Sequence, residues 1–299
     1  MRDGRRIIAA LIMAGGALLW APSASAQGNG NGQAKGLSKG RGPMPAAAAT
    51  SDGAAVPLYG IRQFGSWLDD ASLAEPGGGW AAVSLGFVRS AGGRQMDFPI
   101  ADVGVGLMPR VQVGMTLPYY RLTFTDGSQA AGLGDVYLNA KIGIFDPAKT
   151  EHGLGLAVTP LVEILSSSDL EGGRDFHVAL PVSVEWRQPK YRVYGSSGWF
   201  SRGAFFGSGA VEVPLSERVI VTGVLSHTRA LNDDPNADAL GLSKARTDLT
   251  GGAAFIATSS IAFYGSIGRT ISAQDANAAS IMLSGGVSVS FARTPTGRH

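Results

Sequence analysis

Between Trp80 and Phe291 apolar side chains return at every second position, in runs of about 10 to 14 residues separated by turn-forming residues. Extended backbone points successive side chains to opposite faces, so each run is a strand with one greasy side and one polar side. In 111–117, Val111, Val113, Met115 and Leu117 alternate with Gln112, Gly114 and Thr116. In 135–144, Val136, Leu138, Ala140, Ile142 and Ile144 alternate with Asp135, Tyr137, Asn139, Lys141 and Gly143. The run 175–187 sets Phe176, Val178, Leu180, Val182, Val184 and Trp186 against Asp175, His177, Ser183, Glu185 and Arg187. In 281–291, Ile281, Leu283, Val287, Val289 and Phe291 alternate with serines, Met282 and Gly286.

Alternation alone also suits a soluble sandwich or a lipocalin-like barrel with its apolar face inward. Three features turn the apolar face outward, toward lipid. The runs exceed the five or six residues of an ordinary strand and match the 9 to 11 that a tilted strand needs to cross a bilayer. Aromatic residues gather at run ends (Trp80, Tyr119, Tyr120, Phe145, Trp186, Tyr191, Trp199, Phe200 and Phe291), as in the interfacial girdles of membrane barrels. Tight turns at 108–110, 187–190, 214–217 and 258–260, with a slightly longer one at 146–152, alternate with mostly longer loops at 119–134, 166–174, 229–246 and 270–277. Short periplasmic turns opposite longer outer loops give that asymmetry.

The expected fold is therefore all-β, an antiparallel transmembrane β-barrel over 80–291. Twelve strands are expected, at about 80–90, 94–107, 111–118, 134–145, 152–165, 175–187, 190–200, 202–213, 218–228, 246–257, 260–269 and 278–291. An even number returns both ends to the periplasm. Ten strands is the alternative, because Ser201 is a very short link and Gly195 to Gly198 blur the alternation.

The start of the chain fits this destination. Arg2, Arg5 and Arg6 precede an apolar run from Ile7 to Leu19 and the small-residue site Ala24-Ser25-Ala26, so 1–26 reads as a cleavable secretory signal. The apolar run is too short for a membrane anchor. Removing Arg2, Arg5, Arg6 and Asp3 from 25 basic and 23 acidic residues leaves 22 of each, which argues against a nucleic-acid partner. The chain contains no cysteine, so burial and backbone pairing must hold it together. Residues 27–55 read as a flexible Gly/Ala-rich periplasmic leader, 56–79 as a segment that plugs or leads into the barrel, and 292–299 as a tail.

The polar faces line an expected lumen of Asp102, Gln112, Asp135, Asn139, Lys141, Glu163, Asp175, His177, Glu185, Arg187, Glu212 and Asp248. Enclosed charges must be paired or wet, and they suit either a solute pathway or an ion-pair network filling a narrow barrel. Asp135 and Lys141 lie on one face about 20 Å apart at 3.3 Å per residue, so each needs a partner on a neighbouring strand. Pro160 and Pro181 sit inside the fifth and sixth strands, where proline removes a ladder donor. Residues summing to about 341 should face each other, making the prolines neighbours at a shared bulge or at an opening in the wall.

Asp175, His177 and His227 are the candidates for a hydrolase site at the outer rim, but no serine sits in a distinctive nucleophile turn. The loop 232–238 has oxygen ligands at alternate positions, yet Ala239 and Ala245 stand where a calcium loop needs glycine and an acid. No phosphate loop, dinucleotide fingerprint or metal-spaced His/Cys cluster is present, so neither cofactor nor metal is expected.

The sequence Gly132-Leu133-Gly134-Asp135-Val136-Tyr137-Leu138-Asn139-Ala140-Lys141, preceded by Leu117-Pro118-Tyr119, resembles outer-membrane barrels of the phenol-degradation meta-pathway transporter type. The resemblance covers roughly 80–291, and its specific residues lie in 108–145. It departs from the usual terminal aromatic, since Phe291 is followed by Ala292 to His299. It implies passive passage of small, aromatic or hydrophobic solutes across the outer membrane, with outer-membrane lipid and the barrel-assembly machinery as partners and no catalysis. The alternatives are a narrow filled barrel with a structural or anchoring role and, third, a rim hydrolase acting on lipid or peptide.

Overall fold

The computed structural model describes residues 68–150, 152–164, 176–201, 203–232, 243–272, 275–276 and 278–291. Its strand segments are β1 (Gly79–Ser90), β2 (Gly93–Met108), β3 (Val111–Phe124), β4 (Gln129–Leu133), β5 (Val136–Phe145), β6 (Leu154–Val158) and β7 (Leu161–Ile164). They continue with β8 (Phe176–Arg187), β9 (Arg192–Phe200), β10 (Ala204–Pro214), β11 (Val219–Ala230), β12 (Ala245–Ile256), β13 (Ile261–Ser272) and β14 (Ala279–Phe291). Segments β4 and β5 both pair with β3, and β6 and β7 both run between β5 and β8, so each couple is one interrupted strand. The result is a closed, antiparallel barrel of 12 strands.

Closure is made by β1 against β14, from Gly79↔Phe291 to Ser90↔Ala279. Both ends of the barrel therefore lie on one rim, called here the terminal rim. The same ladder leaves no unpaired edge, the condition for placing extended backbone in lipid. The two strands around Ser201 are both present, joined by a turn in which Gly203, at φ 87°, donates its N–H to the Phe200 carbonyl at 2.9 Å.

Strand parity sorts the side chains. Leu138, Ile142 and Ile144 of β5 and Val178, Leu180, Val182 and Val184 of β8 are exposed on the outer wall, and Val136 is half-buried on the same side. They join Val83, Leu85, Met115, Val211, Leu225, Leu249, Ile267 and Leu283 in an apolar belt running round the barrel. Such a continuous belt has no place on a soluble monomer and is the signature of a lipid-facing wall. Phe145, Trp186, Phe255, Phe263 and Phe291 ring the terminal rim, and Tyr119, Phe176, Trp199 and Phe205 stand toward the far rim.

Some expected girdle residues instead point inward, Tyr120 among them by its parity with Thr116 and Leu122. Trp80 shares the parity of Ala82 and Ser84, is fully buried, and lies over Gly104, where a methyl group would overlap its ring. Phe200 faces the lumen against Phe206, ring centroids 5.8 Å apart. The expected loop at 119–134 is also largely strand, because the β3–β4 ladder runs on to Thr123↔Gln129 and leaves only 125–128 as the turn. A hairpin beyond the membrane needs only its backbone pairs, not an apolar face, so alternation weakens there while the ladder persists.

Arginine in place of Val182, midway along β8, should lower folding stability in lipid vesicles by about 2–4 kcal/mol, against about 0–1 kcal/mol for arginine at the rim residue Phe176. Urea titration of vesicle-refolded protein measures both; equal losses would remove Val182 from the bilayer midplane.

Candidate functional site

Inward parity brings a dense set of polar side chains together inside the wall. Gln112, Asn139, Lys141, Glu163, Glu185, Glu212, Asp102 and Asp248 are all buried. Local partners account for several of them. Asp102 accepts a hydrogen bond from the Thr116 hydroxyl at 2.7 Å across the β2–β3 ladder, and Glu163 accepts one from the Tyr137 hydroxyl at 2.7 Å across β5–β7. Asp248 accepts from the Thr270 hydroxyl at 2.7 Å and pairs with Arg246 at 3.0 Å.

The remaining cluster lies near the terminal rim and is completed by chain that belongs to no strand. Residues 68–78 run inside the barrel before β1 begins. Pro76 forms a single parallel bridge with Gly106, and Gly77 donates its N–H to the Gly106 carbonyl at 2.8 Å. Farther in, the Ala74 N–H donates to Gln112 Oε1 at 2.8 Å, the Ala71 N–H to Glu185 Oε2 at 3.2 Å and the Asp69 N–H to Ser196 Oγ at 3.0 Å. The Ser72 hydroxyl donates to Glu185 at 2.8 Å and accepts from Arg187 Nη2 at 2.7 Å.

Charge holds the tip of this segment. Lys141, 0% exposed, donates to Asp69 Oδ1 at 2.9 Å and to Asp70 Oδ1 at 3.1 Å. Arg192 binds Asp70 Oδ2 at 2.8 Å through Nη1 and Glu212 at 2.8 Å through Nη2, and its guanidinium lies 4.3 Å over the Tyr194 ring. Arg187 pairs with Glu185 on its own strand. Leu68 packs into a niche of Tyr194, Ala210 and Val224.

The wall is shaped to admit the segment. At Gly143 an added methyl group would come within 2.5 Å of Leu73 Cδ1, and at Gly155 within 2.8 Å of Ala71 Cβ. Toward the far rim apolar clusters stand among buried charged groups, Glu163, Asp97 and the Arg246–Asp248 pair. Tyr137, Leu161, Ala179, Phe200, Ala204 and Phe206 form an apolar cluster, and Val88, Ile100, Ala279 and Met282 a second.

Lys141 and Asp135 are placed differently from expectation. Lys141 takes its ion-pair partners from the lead segment instead of a neighbouring strand. Asp135 lies half-buried in the break between β4 and β5, away from Lys141. Asp175 and most of the loop 232–238 fall outside the described residues. His177 faces Ser201, Nδ1 to Oγ 3.3 Å, and His227 meets the Thr247 hydroxyl at 2.9 Å on the other side of β9 and β10.

Pro160 and Pro181 are diagonal neighbours, one residue off the expected register. Val158↔Val182 and Leu161↔Ala179 both sum to 340, so Pro160 is level with Leu180 and the two rings point to opposite faces. The ladder is interrupted at Pro160 but bonded around it: Thr159 donates its N–H to the Pro181 carbonyl at 2.9 Å, and Ala140 to the Pro160 carbonyl at 3.0 Å.

No family model and no curated protein matches the chain. Among solved structures the fold is similar to NanC porin, at 12% identity, 70% coverage of this chain, 98% of that one and a TM-score of 0.51. KdgM porin in complex with disordered oligogalacturonate follows at 8% identity, covering 71% and 99%, TM-score 0.47. LpxR from Salmonella typhimurium aligns at 8% identity, covering 71% and 100%, TM-score 0.44. The NanC likeness concerns the fold alone. The apolar belt adds that the outer wall of this barrel faces lipid.

Replacing Lys141 by Met should leave Asp69 and Asp70 buried without their ammonium, a loss of about 3–5 kcal/mol for a broken buried pair. Hydrogen exchange in nanodiscs should then show amides 69–74 losing protection while β1 and β14 keep theirs. Unchanged protection at 69–74 would mean that the ion pairs do not hold the segment.

Proposed function

We propose that this protein is an outer-membrane channel for passive passage of small solutes, closed at rest by its own lead segment. One observation carries the reading: the half of the lumen near the terminal rim is filled by residues 68–76, which contribute to no strand, so the wall is complete without them. Small barrels are filled by their wall side chains, whereas barrels that enclose a lumen, when plugged, are plugged by separate loops or segments. Here the filling is a separable strap, held by side-chain contacts and one backbone bridge.

With the terminal rim on the periplasmic side, the strap closes the channel from within the cell envelope. A solute entering from outside first meets the apolar cluster around Phe200, Phe206 and Tyr137, a surface that suits aromatic or hydrophobic compounds. The chemistry is diffusion, with no covalent step and no energy source in the chain. The second reading, a filled structural barrel, is favoured by the burial of nearly every inward side chain, Lys141 and Glu163 included.

The chain has no cysteine, which allows a clean test. Ala71→Cys with Gly155→Cys places two Cβ positions 2.8 Å apart, so a small adjustment reaches the 3.5–4.5 Å of a disulfide and staples the strap to β6. In planar bilayers a variant lacking the strap should conduct continuously, the reduced double-cysteine variant should conduct only in the intermittent openings that release the strap, and the oxidised variant should stay silent. Silence in both states, and in a variant lacking the strap, would leave the structural reading.

A further inference from the structure

The strap carries a particular chemical pattern into the lumen, and the wall is built to receive it. Leu68 fills an apolar niche of Tyr194, Ala210 and Val224. Directly after it, two carboxylates meet Lys141 at 2.9 and 3.1 Å, Arg192 at 2.8 Å and the Thr159 hydroxyl at 3.3 Å. An apolar body followed by carboxylate is also the outline of an aryl carboxylate. Resting on the channel reading above, we propose that the Lys141–Arg192 cluster and its apolar niche are the channel's binding site for aryl carboxylates, occupied at rest by Leu68-Asp69-Asp70 as a surrogate.

Charge accounting supports a site that needs an incoming anion. Glu185 and Glu212 have cationic partners on the wall itself, Arg187 and Arg192. The ion-pair partners of Lys141 among the described residues, Asp69 and Asp70, leave when the strap leaves. A buried ammonium without a counter-charge is costly, so departure of the strap is coupled to arrival of a replacement carboxylate. Arg187 offers a second anchor, since its Nη1 is buried with no acceptor among the described residues while Nη2 binds Ser72 and Glu185.

Displacement of the Leu68-Asp69-Asp70 tip is chemically reasonable because its ion pairs and its apolar contact each have an equivalent in the solute. The carboxylate takes the charge-assisted bonds to Lys141 and Arg192, and the ring takes the place of Leu68 beside Tyr194, 4.3 Å beneath the guanidinium. A neutral alcohol of the same shape satisfies only the niche, and acetate only the charge.

The test uses the full mature chain in proteoliposomes and nanodiscs, with benzoate, benzyl alcohol and acetate as probes. Benzoate should raise hydrogen exchange of amides 69–74, and its uptake should exceed that of benzyl alcohol by about tenfold, the ratio a charge-assisted contact supports. Lys141→Gln and Arg192→Gln should each bring that ratio toward one, and the oxidised Ala71→Cys/Gly155→Cys variant should block benzoate entry. The proposal is overturned if benzyl alcohol or acetate matches benzoate in both readouts. It is also overturned if the channel conducts with benzoate leaving exchange unchanged; the channel reading survives that result. Absence of conductance under every condition, strap-free variant included, removes the channel reading itself.

Discussion

Hydrocarbon offers a backbone nothing to bond to, and the closure of β1 on β14 is what allows the other strands to exist where they do. Once the sheet is a cylinder, strand parity fixes which side chains meet lipid and which are enclosed. Even the interruptions obey the rule. At 134–135 Gly134 donates to the Pro118 carbonyl at 2.8 Å, and at 159–160 the Thr159 N–H and the Pro160 carbonyl both find partners. The wall tolerates broken strands because its bonds are re-routed, not lost.

Enclosure then sets the terms for the lumen. Inside a narrow cylinder a charge keeps its ionised form only beside an opposite one, and the wall supplies most of its own pairs: Arg246 with Asp248, Arg187 with Glu185, Arg192 with Glu212. Lys141 differs from these cations in that Asp69 and Asp70 supply its counter-charges from outside the wall. The cationic side chains thereby connect the architecture of the barrel to the position of its lead segment.

The barrel was legible in the sequence because alternation is a local signal. Leu138, Ile142, Val178 and Val182 declare their face without reference to any distant residue. Trp80 and Phe200 were assigned to the girdle by residue type, whereas parity with Ala82 and with Gly198 points them inward. The site was legible only in part. Lys141, Glu185 and Glu212 could be read as luminal from their strands, but Asp69, Asp70, Ser72, Arg192 and Tyr194 were not singled out. Their roles depend on contacts between distant parts of the chain, as with Arg192 and Asp70, 122 residues apart. The one available hint was an acidic pair beside Leu68 in a segment otherwise rich in apolar residues.

That separation also orders assembly. The strap joins β1 directly, but the groups that hold it belong to β5, β8 and β9, all formed from chain that follows it. Bringing such distant partners together before the sheet has formed carries a loop-closure cost that the finished cylinder removes. Docking of residues 68–76 is therefore a late event, reached only when those strands share one interior. A sheet in which β5, β8 or β9 has yet to form lacks the side chains that hold the acidic lead, so docking of the strap reports that those three strands are in place.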